Sequence, residues 1–249
     1  MDNQRTFIRG MLLVLACLLV LLGVNSDGKD NKKETEQVST GLSELEEKVV
    51  YLTFDDGPSK YTASILDALK EYDAKATFFL IGDSITEEYE EVIYRMESEG
   101  HAIGLHCSCH DYNQMYESVD SCTKSILAER ELLLTNYGVE TDICRLPGGS
   151  TNIYIDNREE VIDTLHNEGL RIFDWNVSAE DSVGIPTKQS IMDNIFPSVY
   201  NYEEPIVLLH DGVCNKLTSD LLPEILEELS KKGYKFKNLQ FEEEFLYKT

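Results

Sequence analysis

Residues 49–59 read VVYLTFDDGPS, a segment in which an apolar run leads into two adjacent acidic residues and a Gly-Pro pair. The apolar first half predicts a buried β-strand, and Gly57-Pro58 predicts a turn directly after it. Asp55 and Asp56 therefore stand side by side where the strand ends. Two carboxylates held close together repel, so an unassisted pair tends to keep one of them protonated. A bound cation would remove that conflict, with one Asp binding metal and the other moving protons. A solvated strand-to-turn junction is the alternative.

The N-terminal part of the chain is predicted to lie outside the globular domain. Residues 1–26 combine Arg5 and Arg9 with an apolar run and a small-residue end, which is typical of a secretory signal peptide or an uncleaved membrane anchor. Residues 27–46 are polar and charged, as in a flexible linker. Residues 47–249 have a size suited to one α/β barrel. We therefore expect an extracellular or cell-surface protein, attached to the membrane if the first segment is retained.

The formal net charge of the chain is −24. Such a surface repels the phosphates of nucleic acids and of anionic lipids, so we expect no nucleic-acid partner. The charge suits a neutral or weakly cationic partner, or it serves solubility alone.

Apolar, strand-like runs alternate with helical patterns through the domain. The predicted strands are 49–54, 76–81, 101–105, 142–146, 171–177, 205–209 and 234–239. The predicted helices include 62–72, 86–99, 118–137, 187–201 and 218–232, with Pro197 expected to break the fourth. This alternation predicts an α/β fold with a parallel sheet of about seven strands, either closed as a barrel or doubly wound.

His106 and His110 follow the third predicted strand, four residues apart. On one helical turn, two such imidazoles point the same way and can reach one ion. Together with an Asp from another strand end, they would form the set of two imidazoles and one carboxylate that catalytic zinc sites and some iron sites use.

Three further polar segments follow other strands: RLPGGS at 145–150, WNVSAED at 175–181 and LLHDG at 208–212. Arg145 offers a planar donor fork suited to a carboxylate, and a Gly-Gly pair lets backbone N–H groups approach a substrate. An ordinary turn and a structural His are the alternatives. The carboxyl ends of parallel strands share one face, which builds the active site in such folds, so all five segments are predicted to meet there.

The five segments resemble, in the usual order, the motifs of polysaccharide deacetylases with the NodB homology domain, carbohydrate esterase family 4. TFDDGPS agrees with the first motif in full, and HCSCH keeps both histidines of the second, with Cys107 where Ser or Thr is usual. Gly148 replaces a common aromatic residue, and Ser178 and Ser182 depart from the fourth motif. The resemblance spans residues 49–239 and implies a single deformed (β/α) barrel with its active site at the strand C-terminal ends.

Carried to this sequence, the resemblance implies roles for nine residues. Those that would bind a divalent metal ion, zinc first, with cobalt, nickel, manganese or iron as alternatives, are Asp56, His106 and His110. Those that would carry the catalysis are Asp55 as general base, His210 as general acid, Arg145 orienting Asp55 and Asp181 keeping His210 charged. Those that would contact the substrate are Gly148, through its N–H at the oxyanion, and Leu208, beside the acetyl methyl group.

The implied function is that of an exported, metal-dependent and monomeric hydrolase. It would remove N-acetyl groups from N-acetylated sugar polymers, such as peptidoglycan or chitin-like chains. An O-acetyl esterase acting on acetylxylan is one alternative, and a catalytically retired carbohydrate-binding barrel is another. Four cysteines flank the motifs: Cys107, Cys109, Cys144 and Cys214. They serve as plain small residues, or one pair of them forms a disulfide, or one thiol affects the choice of metal.

Overall fold

A computed structural model describes residues 47–151 and 157–247. The described strands are β1 (Val49–Gly57), β2 (Ala76–Ile81), β3 (Ala102–Cys107), β4 (Ile143–Cys144), β5 (Arg171–Ile172), β6 (Val177–Ser178), β7 (Ile206–His210) and β8 (Lys235–Phe236). The described α-helices are α1 (Thr62–Glu71), α2 (Glu90–Ser98), α3 (Tyr112–Met115), α4 (Val119–Tyr137), α5 (Arg158–Asn167), α6 (Lys188–Val199) and α7 (Lys216–Lys231). The predicted signal or anchor segment 1–26 and the linker 27–46 lie outside the described residues and stay predictions. None of the described helices is both long and apolar enough to span a membrane.

The strands form one parallel sheet that curls into a deformed barrel. Its order is β5-β4-β3-β2-β1-β7-β6, and β8 pairs with the first residues of β1. The two edge strands, β5 and β6, are joined only by residues 173–176. A connection of that length spans at most about 18 Å, so the sheet must curl until its edges approach each other. The predicted α/β barrel of about seven parallel strands is therefore confirmed, and the doubly wound alternative is wrong.

Alternating residues of the strands face two separate cores. On β1, Val50, Leu52 and Phe54 belong to the large core between the sheet and the helices, whereas Tyr51 belongs to a smaller cluster that includes Phe79. Successive side chains of a strand point to opposite faces. Thr53 and Asp55 therefore share the face of Tyr51 and point into the barrel.

The structure corrects several predicted elements. The strand predicted at 171–177 divides into β5 and β6, because the intervening carbonyls of Phe173 and Asp174 accept hydrogen bonds from the Arg145 side chain. The strands predicted at 142–146 and 234–239 shorten to β4 and β8. Helix α6 continues through Pro197, so the predicted break is wrong. Pro197 lies near the end of that helix, where its missing N–H removes only one helical bond.

The cysteines of the described residues are all free thiols. Cys107, Cys122 and Cys144 are buried in the large core, and Cys214 is exposed. The hypothesis of a disulfide at the barrel mouth therefore has no support among the described residues. Their positions agree with the interpretation of the buried cysteines as small core side chains.

Candidate active site at the C-terminal mouth of the barrel

Two β-bulges place the first two candidate metal ligands. On β1, Asp56 is an extra residue opposite the Phe79–Leu80 step of β2. On β3, His106 is an extra residue opposite the Leu80–Ile81 step of the same strand. An extra residue interrupts the alternation of side chains and redirects them. The backbone of Asp56 accordingly adopts a left-handed φ of 71°. The bulges explain how Asp56, next to the inward-facing Asp55, also reaches the barrel mouth.

Asp56, His106 and His110 come together at this mouth. Asp56 Oδ1 lies 3.4 Å from His106 Nε2 and 3.4 Å from His110 Nε2. The three candidate ligand atoms all lie within 4.8 Å of one another. Ligand atoms bound at about 2.1 Å to one tetrahedral ion lie about 3.4 Å apart. Asp56 Oδ1 is buried and lacks a well-formed hydrogen bond within the described residues. The donor types and their spacing therefore fit a divalent metal ion.

The protonation states of Asp56 and His110 suit metal binding, whereas the charges of Asp55 and Asp56 raise the pKa of His106 despite its burial. His106 Nδ1 donates to the carbonyl of Arg145 at 2.8 Å, which leaves Nε2 available as a ligand. Burial opposes ionisation of Asp56, but the neighbouring imidazoles outweigh it and lower the pKa of the carboxyl to about 2. Burial lowers the pKa of His110 and so favours the neutral imidazole. A carboxylate and a neutral imidazole are the forms that bind a metal.

His110 lies in the loop after β3, so the predicted helical turn between the two histidines is wrong. Their rings nevertheless lie 5.6 Å apart and within 29° of parallel. Tyr112 packs against His110 with the rings nearly perpendicular and their centroids 5.0 Å apart. The described metal-ligating cluster contains no thiol. Cys107 instead packs in the core.

Asp55 is held by Arg145 inside the barrel. Arg145 Nη1 donates to Asp55 Oδ1 at 2.9 Å and to Thr53 Oγ1 at 2.6 Å. The guanidinium is fully buried and lies 4.3 Å from the ring centroid of Phe79 and 5.6 Å from that of Trp175. A planar group held on its edges and faces has little freedom to rotate. Asp55 therefore has a fixed orientation and a permanent countercharge.

His210 and Asp181 form the second charged pair of the site. His210 Nδ1 lies 2.7 Å from Asp181 Oδ1, and the His210 backbone N–H donates to Asp181 Oδ2. Thr218 also donates to this carboxylate. Burial alone would lower the pKa of His210, but the hydrogen bond and the charge of Asp181 outweigh burial and raise it to about 9. His210 is therefore a cation at neutral pH, and it pairs with Asp55 in the β1–β7 register.

The two remaining predicted residues lie beside these pairs. Leu208 is 6 % exposed and precedes His210 by two residues on β7, so both side chains share the inner face. Gly148 is exposed in the turn after β4 and has a φ of 78°. Gly149 has a φ of 83°, and a Cβ there would lie 3.1 Å from Trp175. Both positive φ values are ones that glycine adopts readily.

Comparison with known proteins places this arrangement in a family. The sequence model described as polysaccharide deacetylase matches residues 43–170. A peptidoglycan-N-acetylglucosamine deacetylase of Bacillus cereus is 33 % identical over 208 residues, which cover 80 % of this chain and 72 % of that protein. The chain belongs to the polysaccharide deacetylase family.

Solved structures of the family agree with the fold. The catalytic domain of peptidoglycan N-acetylglucosamine deacetylase from Eubacterium rectale superposes with a TM-score of 0.75 at 29 % identity, covering 81 % of this chain and 93 % of that one. A CE4 esterase from Streptococcus mutans superposes with a TM-score of 0.71 at 29 % identity, covering 78 % and 86 %. The predicted family resemblance is therefore confirmed.

Asp174 is a site residue that the sequence analysis did not identify. It is fully buried, and its carboxylate accepts hydrogen bonds from the backbone N–H and the hydroxyl of Ser150, at 2.8 and 2.6 Å. It also accepts from the backbone N–H of Tyr247. Asp174 thereby fixes the turn that contains Gly148 and Gly149. In the sequence it falls inside the strand predicted at 171–177, so its signal was a charged residue within a mostly apolar run.

Asp211 is the second such residue, although its place beside His210 was noted. It is fully buried and accepts hydrogen bonds from Ser59 and Thr62, so it fastens the turn after Asp56 to β7. Burial raises the pKa of Asp211 to about 7, although the two hydroxyl donors favour its ionised form. Ser59 thus belongs to the motif because it anchors the turn.

Proposed function

We propose that this protein is a divalent-metal-dependent hydrolase that removes N-acetyl groups from sugar polymers, such as peptidoglycan or chitin-like chains. The observation that carries the proposal is the meeting of three groups at one barrel mouth: the Asp56–His106–His110 set, the Asp55–Arg145 pair and the Asp181–His210 pair. The named activities of the relatives, peptidoglycan N-acetylglucosamine deacetylation above all, support this substrate class.

Asp56, His106 and His110 would hold the ion. Their mixture of imidazole and carboxylate favours zinc, and cobalt, nickel, manganese and iron can also use such ligands. When bound, a divalent ion polarises a carbonyl oxygen and lowers the pKa of a coordinated water.

The residues of the chain would divide the proton transfers between them. Asp55, oriented by Arg145, accepts the proton of the attacking water. The negative charge that develops on the carbonyl oxygen is stabilised by the backbone N–H of Gly148. His210, charged through Asp181, then donates a proton to the departing sugar amine. Leu208 would contact the acetyl methyl group. No covalent bond to the enzyme is required.

Acetate release tests this function. Peptidoglycan, chitin oligomers, a β-1,6-linked N-acetylglucosamine polymer and acetylxylan are each incubated with metal-depleted protein and with protein reloaded with one metal at a time. Metal-dependent release from an N-acetylated polymer is the expected result. Release from acetylxylan alone would instead support the O-acetyl esterase, whose machinery is the same. No release from any polymer by a folded, metal-loaded protein would support the carbohydrate-binding barrel.

A substitution separates the roles of the two adjacent carboxylates. Asp55→Asn should lower turnover by about 10²- to 10⁴-fold because the proton acceptor is lost. The variant should still bind metal, since Asp56 and both histidines remain. Asp111→Asn is the matched control: Asp111 follows His110 and caps α3, and Asn caps a helix equally well. Loss of metal from the Asp55 variant would contradict the assigned division of roles.

We also propose that the protein is exported, with residues 1–26 as a cleaved signal or a retained anchor, and that it acts as a monomer outside the cell. The order of basic residues, apolar run and polar linker supports export. Cell fractionation followed by N-terminal sequencing tests this proposal. A cytoplasmic, full-length protein would contradict it.

A further inference from the structure

The bulge at His106 leaves a backbone amide that the sheet does not pair in the regular way. His106 is the extra residue of β3, so its N–H has no regular partner on β2. A buried N–H without an acceptor is costly. The N–H of His106 donates instead to Glu129 Oε2 at 2.9 Å. A side chain of helix α4 thus replaces the missing strand partner.

The same helix face holds the next part of the loop. Ser125 precedes Glu129 by four residues, so both side chains lie on one face of α4. The N–H of Ser108 donates to Ser125 Oγ at 3.0 Å, and the Ser108 hydroxyl donates to the carbonyl of Ser125 at 2.6 Å. Segment 106–108 is therefore attached to α4 at both ends. It carries His106 and leads directly to His110.

The packing around these contacts is tight. A Cβ on Gly82 would lie 3.2 Å from the backbone of Ser108 and 3.7 Å from Glu129 Cγ. Glu129 itself is fully buried, and its Oε1 has no hydrogen-bond partner among the described residues. Burying an acidic side chain with one unsatisfied oxygen is costly, and burial raises the pKa of Glu129 well above its usual value. Packing alone does not explain a glutamate in this core.

We propose that Glu129, assisted by Ser125, is a positioning residue for the metal centre and sets the metal affinity through His106 and His110. It touches neither the ion nor the substrate. It acts through the backbone of the bulge, which determines where His106 Nε2 points. This inference rests on the metal centre of the proposed function. Substitutions of outer residues that orient metal ligands typically weaken metal binding by about 10- to 100-fold.

The test is the zinc dissociation constant of the full chain, measured by competition with a chromophoric chelator. Glu129→Met keeps the approximate size of the side chain but removes both acceptors, and it should weaken zinc binding by about 10- to 100-fold. Glu129→Gln keeps an acceptor for the His106 N–H, and its zinc affinity should stay within about threefold of the wild type. Ser125→Ala, at a half-buried site, should weaken binding to a smaller extent in the same direction.

Leu133→Ala is the control for general destabilisation. Leu133 is fully buried one turn further along α4, so its truncation lowers stability without removing a hydrogen bond to segment 106–108. Its zinc affinity should stay within about twofold of the wild type. If Glu129→Met does not fold, Ser125→Ala decides. Unchanged affinity in every folded Glu129 and Ser125 variant would overturn the inference, and so would an equal loss in Leu133→Ala.

The outcome also separates this inference from the proposed function. His110→Ala removes a candidate ligand and should lose most zinc binding. A wild-type protein that binds no more zinc than His110→Ala would refute the metal centre, and the role of Glu129 with it. A wild type that binds zinc tightly, with variants that match it, would refute the role of Glu129 alone.

Discussion

Replacing Asp181 by Asn should move the basic limb of the pH–activity profile to lower pH. Asp181 raises the pKa of His210 to about 9, despite burial, through a 2.7 Å contact to Nδ1. The ordinary value is about 6.5; Asp181 is the main group that raises it, the charges of Asp55 and Asp56 add smaller contributions, and burial opposes all three. Asn has the same shape without the charge. The pKa of His210 should therefore fall towards its ordinary value of about 6.5, since burial is then opposed only by the charges of Asp55 and Asp56.

The sign of the effect follows from the proposed role of His210 as an acid, which acts only when protonated. At pH 7.5 the protonated fraction would fall from about 0.97 to about 0.1, whereas at pH 5.5 it would stay near 0.9. Turnover should therefore drop about tenfold at pH 7.5 and very little at pH 5.5. Acetate release from a soluble N-acetylated oligomer, measured between pH 5 and pH 10, checks this difference.

Thr218→Val is the matched control for this experiment. Thr218 donates to the same carboxylate, and Val removes that hydrogen bond while leaving the charge of Asp181 in place. Its basic limb should stay within about half a pH unit of the wild type. If Asp181→Asn lowers turnover equally at every pH and the basic limb of its pH–activity profile does not move, Asp181 does not control the protonation of His210.

Two further predictions concern the anchors of the site. Gly149 has a φ of 83°, and a Cβ at this position would contact Trp175. Gly149→Ala should therefore lower the free energy of unfolding by about 1–3 kcal/mol and reduce turnover. Thermal unfolding should show a smaller loss of stability for Gly138→Ala, because Gly138 also has a positive φ but no atom within 4 Å of the new Cβ. The free energy of unfolding of metal-free protein should fall as pH rises from about 4 to about 7, because buried Asp211 keeps its proton in the folded state, with a pKa of about 7. Asp211→Asn should reduce the slope of the free energy of unfolding against pH by up to about 1.4 kcal/mol per pH unit, as measured by urea unfolding. An unchanged slope would exclude Asp211 as the source of the pH dependence.

The location of the site could be predicted because the ends of the strands can be recognised in the sequence. Runs such as 49–54 and 205–209 are apolar, and each is followed at once by polar residues and a turn. Parallel strands bring those ends to one face. Asp55, Asp56 and His210 could therefore be assigned to one mouth before any contact was known.

The contacts of Asp174 and Glu129 could not be predicted in this way. An acidic residue in an amphipathic helix is usually solvated, and Glu129 stands in a helix with many charged residues. Its burial depends on α4 packing against the bulge of β3. The bulge in turn depends on the register with β2, which local sequence patterns do not specify.

By itself, the sequence determined the parallel α/β architecture and the chemical groups of the site, including the adjacent carboxylates Asp55 and Asp56. Only the tertiary structure decided which carboxylate faces which partner. Adjacent residues of a regular strand point to opposite faces, so one of the two should face away from the mouth. The bulge at Asp56 removes that constraint, and Arg145, three strands away in the sheet, holds Asp55. The different surroundings of two neighbouring aspartates are set by pairing between distant parts of the chain.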